Sequence, residues 1–169
     1  MVSKPLSILR CIECGNTHEL DEPVYVCGKC GGLLDVIHDF DAVKPGITRK
    51  LFDDRLGTLD RPYSSGVWRY KELVFPGAAD DEIVTRGEGN TTLYKTPKKL
   101  AAWVGAERLA LKHEGENPTG SFKDRGMTGG VTHAVMVEAS GVVCASTGNT
   151  SASMADFFSL VHSSKSMAS

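Results

Sequence analysis

Four of the five cysteines lie in two closely spaced pairs, a pattern typical of a metal site. Cys11 and Cys14 form one Cys-x-x-Cys pair, Cys27 and Cys30 form the other, and 12 residues separate the two. Four thiolates at this spacing can surround a zinc ion tetrahedrally, with bonds of about 2.3 Å. A redox pair, or a motif that keeps its cysteines without a metal, would also explain the pattern. Because a four-cysteine zinc site has no open coordination position, we expect a structural role for this metal.

The charge of the chain argues against a nucleic-acid or membrane partner. Residues 1–40, the predicted zinc ribbon, carry three cationic and six anionic side chains, a net charge of −3, which is the wrong sign for a phosphate backbone. The whole chain has a net charge of −2, and no apolar run approaches the roughly 20 residues that a spanning helix needs. Without an apolar signal-peptide core at its start, we expect a cytoplasmic protein. His18 and His38 are interpreted as surface or core residues, since four cysteines already complete a zinc site.

A lysine stands where a helix is predicted to begin. Ser121 and Asp124 match a helix-capping signature, so Ser121 is the expected N-cap and Lys123 falls in the first turn. The helix dipole and the nearby Arg125 both disfavour a further positive charge there. A neutral amine is the form that attacks an aldehyde, and the same turn can bind an anion. From these residues alone, an ordinary solvated helix lysine is the competing interpretation.

Two further features surround this lysine in the sequence. Residues 146–151 form a turn rich in hydroxyl groups, between a short apolar run and a predicted helix, which is a shape that can bind an anion or simply cap a helix. Gly126, Gly129 and Gly130 each cost about 1 kcal/mol relative to alanine inside a helix. Three glycines so close together predict a close approach of this helix to a sheet or to a ligand.

Residues 114–127 closely resemble the cofactor-lysine motif of the threonine synthase family, within the fold-type-II (tryptophan-synthase-β-like) pyridoxal-phosphate enzymes. The resemblance implies that Lys123 forms the Schiff base with pyridoxal phosphate. Residues 146–151 resemble the second motif of that family, which implies that Asn149 contacts the 3′ oxygen of the pyridine ring. It also implies a substrate-carboxylate site made by Ser146, Thr147 and Thr150. Residues 87–93 resemble a third segment, with Thr92 where the family usually has proline, and are interpreted as structural.

The function that this resemblance implies is the conversion of O-phospho-L-homoserine and water to L-threonine and phosphate. Lys123 would then be both the covalent anchor of the cofactor and the base that takes the α-proton. Other pyridoxal-phosphate lyases, such as cysteate synthase or threonine dehydratase, remain alternatives within the family. A non-catalytic zinc-ribbon remnant that acts as a binding module is the alternative from a different class. Full-length relatives are expected to be homo-oligomers.

The elements that would position these residues alternate between strand and helix. A helix is predicted over residues 97–104, a strand over 108–113, a helix over 121–139, a buried strand over 141–145 and a helix from Ser151. This order is typical of an α/β fold with a parallel sheet. The predicted fold class is therefore an incomplete parallel-sheet pyridoxal-phosphate domain preceded by a zinc ribbon. The predicted segments are the ribbon, residues 1–40; a connecting region, 41–90; the first part of the α/β domain, 91–155; and a tail, 156–169.

The tail does not resemble the continuation of the family. Four of its last seven residues are serine. We expect a truncated or frame-shifted chain that lacks the glycine-rich loop for the cofactor phosphate. A chain of this kind is expected to be inactive alone.

Overall fold

A three-stranded antiparallel sheet opens the computed structural model, which describes residues 5–166 and, for 162–166, the backbone alone. The strand order is β2-β1-β3, and Leu9 at the centre of β1 lies opposite His18 on β2 and Val36 on β3. Side chains of β1 alternate between buried and more exposed positions, as expected for a strand with one covered face. The strands are β1 (Ser7–Cys11), β2 (Thr17–Glu19) and β3 (Leu34–His38).

Residues 1–40 contain three β-prone runs, of which two are strands and the third is not. The runs at 6–12 and 33–37 correspond to β1 and β3. The run at 24–26 forms no strand, because Val24 closes a tight turn in which its backbone N–H donates to the Glu22 carbonyl at 2.8 Å. β2 was not predicted, since its three residues show no β-branched or aromatic run to reveal it.

Residues 39–92 contain only short elements, in agreement with the many prolines and glycines there. A threonine cap starts the longest of them, where Thr48 Oγ1 accepts a hydrogen bond of 3.0 Å from the Leu51 backbone N–H. A 3-10 turn at Trp68–Tyr70 leads directly into a helical turn at Lys71–Val74. The helices are α1 (Phe40–Val43), α2 (Arg49–Asp54) and α3 (Lys71–Val74).

The hydrophobic core forms where this middle region meets a long helix of the C-terminal half. Trp68 is fully buried, and its indole N–H donates to Thr128 Oγ1 at 2.7 Å. The Thr128 hydroxyl in turn donates to the Val84 carbonyl at 2.6 Å. The Nε2 of His133 donates to the Leu20 carbonyl at 2.7 Å, which ties the N-terminal sheet region to the same helix. The cluster consists of Val67, Trp68, Phe75 and Ala78, with Leu20, Ile83 and Met136 packed against it.

The C-terminal half confirms four predicted elements. The helix after Pro97, the strand before His113, the helix after Ser121 and the helix near Ser151 are all present. The bounds are β4 (Leu93–Lys95), α4 (Lys98–Trp103), β5 (Ala110–Lys112), α5 (Lys123–Met136) and α6 (Asn149–Ser166). A short 3-10 turn, Glu114–Glu116, connects β5 to the loop before α5.

The parallel sheet predicted for this half is not formed by the described residues. β5 pairs antiparallel with β4, with Tyr94 opposite Leu111. Residues 141–145 have no regular secondary structure, and Val143 is 97% exposed. A strand is stabilised by ladder hydrogen bonds to a neighbour, and no described strand lies beside this segment.

Most of the tail after Ala155 continues α6, which is helical through Ser166. Phe157 on this helix is fully buried. The remainder of the predicted atypical tail, 167–169, lies outside the described residues. Within residues 5–166, no helix combines the length and apolar character needed to cross a membrane.

Candidate functional site

Lys123 is the first residue of α5, as the capping pattern predicted to within a residue. Ser121 Oγ accepts a hydrogen bond of 3.2 Å from the Lys123 backbone N–H, although Phe122 stands at the N-cap position itself. The Lys123 side chain is half-buried, and its Nζ lies 4.8 Å from the centroid of the Phe122 ring. The amine is therefore held against an aromatic face at the start of a helix, where backbone N–H groups also favour an anion.

Asp124 does not complete the capping box that its spacing predicted. Its carboxylate is fully buried and accepts hydrogen bonds from the Thr119 backbone N–H at 2.8 Å and from the Thr119 hydroxyl at 2.6 Å. It also accepts a bond of 2.6 Å from the Ser153 hydroxyl on α6. The residue next to Lys123 thus joins the loop before α5 to the first turns of α6.

The hydroxyl-rich turn lies at the start of α6, as predicted. Ser146 Oγ accepts a hydrogen bond of 3.3 Å from the Gly148 backbone N–H, which stabilises the turn. Ser146 and Thr150 are half-buried, whereas Thr147 and Asn149 are exposed. Asn149 begins the helix and lies four residues, roughly 6 Å of helix rise, before the Ser153 that bonds to Asp124.

The structure therefore brings the starts of two helices together, one with Lys123 and the other with Asn149. The sequence predicted each helix start separately, but it did not predict the bond between Asp124 and Ser153 that connects them. The arrangement offers one primary amine, one amide and several hydroxyl groups beside two helix N-termini. This set of groups can hold a carbonyl compound covalently and bind anionic parts of a ligand.

Arg125 is engaged in an ion pair that was not predicted. Its Nε and Nη2 donate to the Glu114 carboxylate at 2.7 and 2.8 Å, and Nη2 also donates to the Gly89 carbonyl at 3.0 Å. The hydrogen bond from Arg125 lowers the pKa of Glu114 to about 2. The charge of Arg125 is therefore balanced by Glu114, which weakens its expected effect on the Lys123 amine.

Several hydrogen bonds join segment 87–92 to loop 114–120, beside the bond from Arg125 to the Gly89 carbonyl. The Gly89 backbone N–H donates to Asn117 Oδ1 at 3.0 Å, and the Thr92 backbone N–H donates to Glu116 at 2.5 Å. Segment 87–92 is thus bonded to loop 114–120 through side chains that point back at its backbone. These contacts support the structural role predicted for the segment.

The three helix glycines do not approach a sheet within the described residues. A Cβ added at Gly126, Gly129 or Gly130 would meet no atom within 4 Å beyond the helix itself. The close packing expected from these glycines is therefore not found in this part of the chain.

The four predicted metal ligands lie together. Their Sγ atoms all lie within 4.8 Å of one another, and three of the separations are 3.4, 3.5 and 3.7 Å. A tetrahedron with zinc–sulfur bonds of about 2.3 Å has edges of about 3.8 Å, so the cluster has the dimensions of a zinc site. Each pair closes with a backbone hydrogen bond, from Gly15 N–H to the Cys11 carbonyl at 3.0 Å and from Gly31 N–H to the Cys27 carbonyl at 2.8 Å.

His18 lies beside this cluster and was not predicted to do so. A hydrogen bond with His18 is the main cause that lowers the pKa of Cys27 to about 5. The His18 Nδ1 lies 3.1 Å from the Glu22 carboxylate, which holds the ring in place. His18 is the middle residue of β2, so its side chain points to the opposite face of the strand from Thr17 and Glu19.

Comparison with known proteins agrees with this geometry. Residues 84–157, which include both helix starts, match the family model described as pyridoxal-phosphate dependent enzyme. This part of the chain is therefore similar to the pyridoxal-phosphate enzymes as a class.

Within this class, the similar curated proteins are threonine synthases. The chain is 48% identical over 147 residues to that of Methanosarcina acetivorans, which is 87% of this chain and 33% of the relative. It is 47% identical over 148 residues to that of Methanocaldococcus jannaschii, or 88% and 34% of the two chains. Chloroplastic threonine synthase 2 of Arabidopsis thaliana is 42% identical over 149 residues, or 83% and 29%. The chain spans about a third of the length of these relatives and matches an N-terminal fragment of threonine synthase.

Proposed function

We propose that the chain carries the cofactor-lysine part of a threonine synthase, which converts O-phospho-L-homoserine and water to L-threonine and phosphate. The observation that carries this proposal is the Asp124–Ser153 hydrogen bond, because it holds the starts of α5 and α6 side by side. One helix start presents Lys123 and the other presents the turn at 146–150. The similarity to threonine synthases covers both helix starts and supports the choice of reaction.

The groups at the two helix starts fit pyridoxal phosphate chemically. Lys123 would hold the cofactor through Nζ, and the side-chain amide of Asn149 would contact the 3′ oxygen of its ring. Ser146, Thr147 and Thr150 would bind the substrate α-carboxylate, at a helix N-terminus whose N–H groups favour a negative charge. When bound, the cofactor supplies an electron sink for the carbanion formed at the substrate α-carbon.

The lysine would also move protons. With the amino group of the substrate on the cofactor, the Nζ of Lys123 would be a free amine able to accept the substrate α-proton. A carboxylate site beside Lys123 would orient the substrate and so lower the entropic cost of that proton transfer. After the product has left, the same amine would hold the cofactor again.

We also propose a structural zinc ion held by Cys11, Cys14, Cys27 and Cys30. The tetrahedral dimensions of the Sγ cluster support it, as does the lowered pKa of Cys27, since the thiolate is the form that binds zinc. Cys11 is the last residue of β1, so the metal would lie at one end of the N-terminal sheet.

Covalent labelling tests the role of Lys123. The purified chain is incubated with pyridoxal phosphate, reduced with borohydride and digested, and the modified peptide is identified by mass spectrometry. The pyridoxyl group is expected on Lys123, and Lys123→Ala should abolish this label. Lys99→Ala is the matched control, because Lys99 is exposed on α4, and it should leave labelling unchanged. Preferential labelling of a different lysine would refute the assignment.

A further inference from the structure

A groove of about 570 Å³ lies between the middle region and the loop segment 87–92, and its lining is cationic. Arg69, Lys112 and Arg125 are among its lining residues, and none of its described lining residues is acidic. This concentration of positive charge contrasts with the net charge of −2 of the whole chain. We call this feature the cationic groove, defined by Arg69, Lys112 and Arg125 together with the backbone of Gly66 and Gly89.

Arg69, one of the lining residues, has a side-chain nitrogen whose hydrogen-bonding capacity is not used within the described part of the chain. In residues whose side chains the structure describes, its Nε is the one buried side-chain nitrogen or oxygen without a hydrogen-bond partner. Buried polar groups of this kind are rare, and an ion that completes the bonding is a common explanation. The guanidinium is held in place by the Tyr70 ring, whose centroid lies 4.8 Å from Cζ.

The other two cations differ in how far their charge is balanced. Lys112 Nζ donates to the Thr91 carbonyl, which leaves two of its three N–H donors for a ligand. Neither Arg69 nor Lys112 forms a salt bridge with any carboxylate among the described residues. Arg125 is paired with Glu114 and so contributes mainly to the fixed shape of the groove.

The floor of the groove is rigid. A Cβ on Gly66 would lie 2.3 Å from the Gly89 carbonyl carbon, so only glycine allows these two backbones to touch. The one acidic residue of the segment, Glu88, is buried away from the groove, where it accepts hydrogen bonds from Ser65 Oγ at 2.7 Å and from the Arg86 backbone N–H at 2.9 Å. The segment therefore presents backbone and no negative side chain to the groove.

We propose that the cationic groove binds an oxyanion of the phosphate type, either free phosphate or the phosphate group of a small monoester. The donors come from three separate elements, the 3-10 turn with Arg69, the strand with Lys112 and the helix with Arg125. Donors from three directions suit a tetrahedral oxyanion better than a planar carboxylate, and guanidinium groups pair well with phosphate. Lys123 is not among the lining residues, so the groove is distinct from the lysine site and does not rest on the function proposed for it.

Calorimetric titration of the 169-residue chain tests the proposal. Inorganic phosphate, glycerol phosphate and acetate are each titrated at one ionic strength, held constant with chloride. Phosphate is expected to bind, and acetate to bind at least about tenfold more weakly. Tighter binding of glycerol phosphate than of phosphate would identify a monoester as the ligand, and the reverse would identify free phosphate.

Charge-removing variants locate the site. Arg69→Gln and Lys112→Gln should each weaken phosphate binding by about tenfold, as expected for loss of a charged donor. Arg49→Gln is the matched control and should change the affinity by less than about twofold, because Arg49 is 94% exposed on α2. Lys123→Ala should also retain binding. Wild-type affinity in a folded Arg69→Gln chain, or equal affinity for phosphate and acetate, would overturn the proposal. If Arg69→Gln unfolds, as judged by circular dichroism, the exposed Lys112 decides the question.

Discussion

Removing the carboxylate of Asp124 should destabilise the chain more than any change of a surface acid. In Asp124→Ala, the Thr119 backbone N–H and the hydroxyls of Thr119 and Ser153 lose their acceptor in a fully buried site. Each lost bond to a buried group costs about 1–3 kcal/mol, and the two hydroxyls can turn to other partners. We therefore expect a loss of about 3–4 kcal/mol in the free energy of unfolding.

Asp124→Asn separates the charge from the shape of this residue. Oδ1 accepts both hydroxyl bonds, and Oδ2 accepts the bond from the Thr119 backbone N–H. An asparagine can keep its oxygen at the first position, but its NH₂ group then faces another N–H donor. One bond is lost and the others lose their ionic character, which predicts a cost of about 1–2 kcal/mol.

Equilibrium urea unfolding, followed by the fluorescence of the buried Trp68, measures both variants. The control is Asp81→Asn, since Asp81 is exposed and should change the free energy of unfolding by less than about 0.5 kcal/mol. A double-mutant cycle between Asp124→Ala and Ser153→Ala should give a coupling energy of about 1 kcal/mol. Additive effects in that cycle, or an Asp124→Ala chain as stable as the control, would refute the account of how the two helix starts are joined.

Two further outcomes follow from the cysteine cluster and from the Glu114 ion pair. Metal analysis of the anaerobically purified chain should find about one zinc per chain. Cys30→Ser should lower that zinc content and destabilise the N-terminal sheet. A wild-type chain without metal contradicts the proposal. Stability should also fall with acid: the pKa of Glu114 is about 2 when folded against 4.5 ordinarily, so its stabilising effect is complete above the ordinary value and is lost as the pH falls toward 2. The pKa of Glu116 is also about 2, so Glu116 contributes in the same pH window. Glu114→Gln should therefore reduce the fall in the urea midpoint between pH 5 and pH 2 without removing it. An unchanged acid dependence in this variant would count against the ion pair.

Features set by local spacing could be predicted from the sequence. The short spacing within each cysteine pair predicts a tight turn. The four thiols then cluster because the chain between the two pairs brings these turns together. The start of α5 at Lys123 followed from the hydroxyl at Ser121, which bonds to the helix as a cap does. The resemblance then selected this lysine from the others, which spacing alone could not do.

Features that depend on distant partners could not be predicted. Asp124 stands three residues after Ser121, the right spacing for a capping box. It bonds instead to Ser153, 29 residues later, and its buried Oδ1 accepts hydrogen bonds from the hydroxyls of both Ser153 and Thr119. Arg125 pairs with Glu114 across a loop, and nothing in their spacing distinguishes this pair from others. The run at 141–145 has the composition of a strand, but composition does not supply the neighbouring strand that would hold it.

The hydrogen bond between His133 and the Leu20 carbonyl connects the C-terminal part of α5 to the N-terminal sheet region. His133 is ten residues after Lys123, which is about 15 Å along the helix, so the two ends of α5 carry the contact with Leu20 and the Lys123 amine. A tilt of about 5° at the Leu20 end would displace the lysine end by roughly 1.3 Å over that length. Under the function proposed for Lys123, a misplacement of about 1 Å can cost about a hundredfold in rate, so the packing of the N-terminal sheet region would bear on the position of that amine.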